Sequence, residues 1–90
     1  GVAALVPLTH VQTMTCLLRA DLIEHLEERY SEHLAGGGLQ SAQQLLEIWA
    51  SDQTGSFTVF VTRPDGLSCV IATGQNWQDA APTHPEGVAG

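Results

Sequence analysis

The sequence predicts an α+β fold in which one N-terminal helix packs on an antiparallel meander of three strands, with residues 39–44 available as a fourth. Three observations carry this prediction. Leu18, Leu22, Leu26 and Tyr30 recur every fourth residue, and Ile23 widens the stripe, which is the period of an amphipathic helix facing a core. Three runs rich in β-branched and aromatic residues then follow between positions 46 and 73. Two turn signals separate them, Asp52-Gln53-Thr54-Gly55 and Pro64-Asp65-Gly66.

Taken in order, residues 1–8 are apolar and uncharged but too short to span a bilayer. They read either as the end of a signal peptide's hydrophobic region or as an ordered β-type arm. With the polar connector that follows, they form a segment 1–15 ahead of the domain proper, expected over 16–77. The helix is expected over residues 17 to about 34, with Thr15 as N-cap and Asp21 near the positive N-terminal end. Glu24, Glu27, Glu28 and Glu32 take its outer face, beside Arg19 and Arg29. Gly36, Gly37 and Gly38 are expected to stop it, because glycine readily adopts the left-handed conformation beyond a helix. After the meander, Pro82, Pro85 and Gly87 mark residues 78–90 as a tail. Trp77 is expected to fold back onto an apolar surface.

The turns predict the register. Pro64 presets φ and Gly66 supplies φ > 0, so Arg63 should pair with Leu67. That sets Val61 opposite Cys69, Phe60 opposite Val70, Val59 opposite Ile71 and Phe57 opposite Thr73. A four-residue loop after Ser51 likewise sets Ala50 opposite Phe57 and Ile48 opposite Val59. The more apolar face, with Leu46, Ile48, Ala50, Phe57, Val59, Val61, Cys69 and Ile71, is expected to meet the helix. The other face carries Glu47, Thr58, Thr62 and Ser68, but also Trp49, Phe60 and Val70. Three large apolar groups turned to water predict that something covers them, so these three are the expected interaction surface.

Ninety residues make one domain, close to the lower limit for a self-sufficient core. Three Lys+Arg against ten Asp+Glu give a net charge of −7. Nucleic acid and anionic membrane surfaces are poor partners for such a chain, and membrane insertion is not expected. Cys16 and Cys69 match no zinc spacing and no Cys-x-x-Cys redox pair. Placed at the helix start and on the third strand, they read as one disulfide formed in an oxidising compartment, the alternative being two buried thiols.

No catalytic motif emerges, so the chain reads as a non-enzyme without a cofactor. Ser51, Ser56 and Ser68 lack a Gly-x-Ser-x-Gly context, and the glycine triplet lacks the Lys-Ser/Thr of a phosphate loop. The acidic turns lack the bidentate glutamate of a calcium loop. His25 and His33 lie near Glu24, Glu28 and Glu32 on the helix, which allows a metal site, although a solvated acidic face explains the pattern more simply. His10 and His84 carry no site signal.

The segments Arg29-Tyr30-Ser31-Glu32, Glu47-Ile48-Trp49-Ala50-Ser51-Asp52, Gly55-Ser56-Phe57-Thr58-Val59, Pro64-Asp65-Gly66-Leu67-Ser68-Cys69 and Ala72-Thr73-Gly74 resemble a group of small exported bacterial proteins with two cysteines. The resemblance implies a signal peptide and a periplasmic or secreted location, and brings no known activity with it. The helix-then-meander order is also similar to PepSY-like domains, which bind or inhibit other proteins. The expected function is therefore an exported, non-catalytic interaction module or accessory subunit. It would bind a protein partner or a second copy through Trp49, Phe60 and Val70. The alternative is a periplasmic small-ligand or metal-binding protein that uses the acidic helix face.

Overall fold

The computed structural model describes residues 14–80. It is an α+β fold in the order β1 (Cys16–Leu18), α1 (Arg19–Tyr30), β2 (His33–Ser41), β3 (Gln44–Ala50), β4 (Phe57–Thr62) and β5 (Leu67–Gly74). The five strands form one antiparallel sheet in the order β1-β5-β4-β3-β2. The sheet thus has two more strands than the expected meander, and a short strand precedes the helix. The apolar arm over residues 1–8, the last ten residues of the expected tail, His10 and His84 lie outside the described residues.

Connectivity makes α1 the bridge between the two edges of the sheet, from β1 to β2. Its 12 residues extend about 18 Å at 1.5 Å per residue. Four strand spacings of about 4.8 Å span about 19 Å, so the helix is as long as the sheet is wide.

The helix is shorter than expected at both ends. Leu18, not Thr15, stands at the N-cap, and no side chain caps it. At the other end Ser31 adopts the left-handed conformation (φ 54°), and the Glu32 N–H donates to the Leu26 carbonyl at 3.1 Å. The chain therefore leaves the helix before the glycine triplet, which lies inside β2. Gly37 sits opposite Glu47, where an added Cβ would meet the Leu46 carbonyl oxygen at 2.6 Å. Glycine is there because two backbones come too close for any side chain. Gly36 and Gly38 face open space.

Both predicted hairpins form. Ser51 N–H donates to the Ser56 carbonyl and Arg63 N–H to the Leu67 carbonyl, each at 2.9 Å. Gly55 (φ 80°) and Gly66 (φ 89°) hold the positive φ these turns require. Ala50 faces Phe57, Ile48 faces Val59, Val61 faces Cys69 and Phe60 faces Val70, as the register predicts. Beyond Val70 a β-bulge at Ile71 shifts β5 by one, setting Val59 opposite Ala72 and Phe57 opposite Gly74. The Phe57 ring then covers Gly74 in the space a Cβ would take.

The helix lies on the opposite face of the sheet from the one expected. Leu22 and Leu26 pack with Trp49 and Phe60 as the buried core, and Ile23 and Val70 join from its margin. Trp49 is 6% exposed and Phe60 fully buried. Trp49 and Phe60, predicted as an interaction surface with Val70, are thus core, and Val70 is half-buried at its margin under the helix. The rings of Trp49 and Phe60 bury against Leu22 and Leu26, and Arg19 at the helix start reaches Glu47 on the same face, so the helix is tied here although the other face carries more apolar residues. The polar residues on the covered face have partners there: Thr62 and Ser68 share a hydrogen bond at 2.6 Å, and Glu47 is held by Arg19 and Trp49.

The expected disulfide is present. Cys16 and Cys69 are direct cross-strand partners on β1 and β5, with Cα atoms 4.0 Å apart. The geometry differs from the expectation: Cys16 lies in a strand, and Cys69 points away from the helix, on the face it shares with Val61.

A cleft between helix and sheet

The left-handed turn at Ser31 brings Glu32 under the helix end, where its side chain is 1% exposed. Ser56, at the end of the β3–β4 turn, donates from Oγ to Glu32 Oε2 at 2.7 Å. The same Ser56 Oγ accepts from Thr54 Oγ1 at 3.1 Å, and Ser51 Oγ accepts from the Thr54 N–H at 3.0 Å. This chain of hydroxyls pins one carboxylate oxygen. The other, Oε1, is buried and has no hydrogen-bond partner among the described residues. Most buried polar atoms have a partner, and leaving one without costs roughly 1–3 kcal/mol.

Glu32 lies at one part of a cleft of about 460 Å³ between α1 and the sheet. The i, i+3, i+4, i+8 spacing puts Leu22, His25, Leu26 and Tyr30 along its helical side. Thr58, Val70 and Thr73 line the sheet side, and Thr15 and Leu17, flanking the disulfide-bonded Cys16, close the β1 side. Leu22 and Leu26 are buried, while His25 and Tyr30 are exposed, their rings edge to face at 5.5 Å. The cleft therefore combines an apolar wall, a few hydroxyls and one buried carboxylate, which is the usual make-up of a small-ligand site.

A second polar cluster is structural. Arg19 donates from Nε to Glu47 Oε2 at 2.8 Å and from Nη2 to Oε1 at 2.9 Å, a bidentate pair. The indole N–H of Trp49 donates to the same Oε1 at 2.9 Å. Arg19, and then Trp49 to a smaller extent, hold the Glu47 carboxyl below its ordinary value of 4.5, against the opposing effect of burial. The cluster ties the first residue of α1 to the middle of β3.

The histidines and glutamates proposed as a metal face do not converge: among the described residues no group of three such ligands could hold an ion. His25 stands at the mouth of the cleft, His33 begins β2, and Glu32 faces inward. Sequence reasoning missed Glu32 and Ser56, because it placed the first on a solvated helical face and the second in an ordinary turn. The only available signal was that Tyr30 closes the fourfold apolar series, which leaves Glu32 beyond the helix stripe. On the uncovered sheet face, Ile48, Phe57 and Val59 are half-buried and Ile71 is 49% exposed. Trp77 folds back onto Phe57 there, ring centroids 5.5 Å apart.

No family model matches the chain, and neither the curated proteins nor the solved structures searched contain a match.

Proposed function

We propose that this chain is a small exported, non-catalytic binding module that takes an amphipathic small ligand in the cleft between α1 and the sheet. The observation that carries the reading is the cleft itself, with apolar walls from Leu22, Leu26 and Val70 beside a buried carboxylate and hydroxyls. Export is supported by the Cys16–Cys69 disulfide, since disulfides persist in oxidising compartments. No helix among the described residues is long and apolar enough to cross a membrane. A binding role fits better than catalysis because the Ser56 hydroxyl is engaged by Thr54 and Glu32, and no imidazole is hydrogen-bonded to it among the described residues.

A second reading, contact with a protein partner or another copy, is favoured by the uncovered face around Ile48, Val59 and Ile71. One experiment separates the two. Small amphipathic compounds are screened by thermal shift against the wild type, Thr73→Trp, which fills the cleft from its exposed sheet side, and Val59→Asp on the other face. A ligand at about 100 times its Kd adds roughly 2.7 kcal/mol to the folded state. The expected result is a rise in melting temperature for the wild type and Val59→Asp, and none for Thr73→Trp. Equal shifts in all three variants, or none in any, contradict the cleft reading. A change in oligomeric state confined to Val59→Asp supports the second.

A further inference from the structure

We infer that the ligand of the cleft is an organic cation, an amine or guanidinium with an apolar body, whose charged head donates to Glu32. This rests on the cleft reading and names the class of molecule it takes. The first support is the unpartnered Oε1 of Glu32, buried at the cleft while its twin oxygen is committed to Ser56. An acceptor in that position calls for a donor, and the charge of the surroundings decides which kind.

The chain contains no lysine and only three arginines. Arg19 is bound to Glu47 and Arg63 to Asp65, so neither neutralises Glu32. Arg29 lies on the exposed side of α1 and makes no ion pair among the described residues. Glu32 also follows the C-terminal end of α1 directly, where the helix dipole adds negative potential. A net charge of −7 draws cations towards the whole molecule and repels anions. The aromatic ring of Tyr30, at the cleft, offers a face on which a cation rests favourably. Leu22, Leu26 and Val70 receive the apolar body. Since Glu32 is 1% exposed, the head is enclosed with it, while His25 and Tyr30 stand exposed at the mouth.

The test compares three probes with one shared body: 2-phenylethylammonium, 2-phenylethanol and phenylacetate. Each is titrated into the oxidised protein at low salt by calorimetry, with two-dimensional amide NMR to locate the contact. The ammonium should bind at least about tenfold more tightly than the alcohol, and phenylacetate should not bind, as a charge-assisted hydrogen bond to a buried acceptor requires. Shifts should centre on Glu32, Ser56 and Thr58, and Glu32→Gln should remove the preference for the ammonium. Equal binding of all three probes at the cleft overturns the cation inference and leaves the cleft reading standing. Binding of none overturns both. Ammonium-induced shifts confined to Glu24, Glu27 and Glu28 mean diffuse attraction to the acidic helix face and also overturn the inference. If Glu32→Gln does not fold, the wild-type comparison of the three probes decides.

Discussion

Glu47→Ala lowers the melting temperature by on the order of 15 °C. The carboxylate is 3% exposed and accepts three hydrogen bonds, two from Arg19 and one from the Trp49 indole. Removing one partner of a buried ion pair costs about 3–5 kcal/mol, chiefly through the groups left behind. The Arg19 side chain is 41% exposed and recovers water when released, which sets the loss near the lower end, about 3 kcal/mol. For a domain of this size each kcal/mol moves the midpoint by about 4–8 °C. The indole N–H is orphaned in the core as well, and the start of α1 loses its tie to β3. Because Arg19 holds the Glu47 carboxyl below 4.5, its contribution is fully present above that value. It is lost as pH falls through the depressed folded value. The gap in melting temperature between wild type and Glu47→Gln should therefore narrow as pH falls below 4.5. A change of less than about 3 °C at neutral pH, or a gap that stays constant as the solution is acidified, would show the cluster to be peripheral.

Reduction of the disulfide is the second large effect. Cys16 and Cys69 are separated by 53 positions, and the chain-entropy relation assigns a loop of that length about 4 kcal/mol. For a domain whose whole stability is of order 5–10 kcal/mol, this loss leaves a substantial unfolded fraction. The effect reaches the cleft too. β1 has three residues and pairs only with β5, so the bridge is its main anchor. Thr15 and Leu17, on either side of Cys16, line the cleft. Denaturant unfolding of the Cys16→Ala/Cys69→Ala double variant should show the stability loss, and any ligand of the cleft should bind it more weakly. A loss below about 1 kcal/mol, with ligand affinity intact, would mean that β1 is held by other contacts.

Much of the meander was legible in the sequence because its signals are local. Pro64-Asp65-Gly66 and Asp52-Gln53-Thr54-Gly55 specify their turns through φ, and turn geometry dictates register up to Val70. The bulge at Ile71 was not legible, since an inserted residue leaves a run of strand formers such as Cys69-Val70-Ile71-Ala72 unchanged in character. Pairing the two cysteines needed only their number and approximate positions. Which face the helix covers was not legible from the number of apolar residues, because the face it leaves carries more of them, Phe57 included. Glu47 concealed this, because an isolated glutamate on a strand reads as solvent-facing until Arg19 is seen to reach it. Glu32 was hidden by the helix end. Serine rarely adopts the left-handed conformation, so the triplet Gly36-Gly37-Gly38 looked the better stop. Its true place in β2 depends on a close approach of Gly37 to β3 that no local pattern reports.

The placement of α1 over Trp49 and Phe60 underlies both the core and the cleft, and a nuclear Overhauser spectrum of the oxidised, isotope-labelled protein tests it directly. The structure predicts cross-peaks from the Leu22 and Leu26 methyl groups to the Trp49 indole and the Phe60 ring. Cross-peaks from those methyl groups to Ile48 and Val59 instead would put the helix on the other face of the sheet and leave no cleft at Glu32.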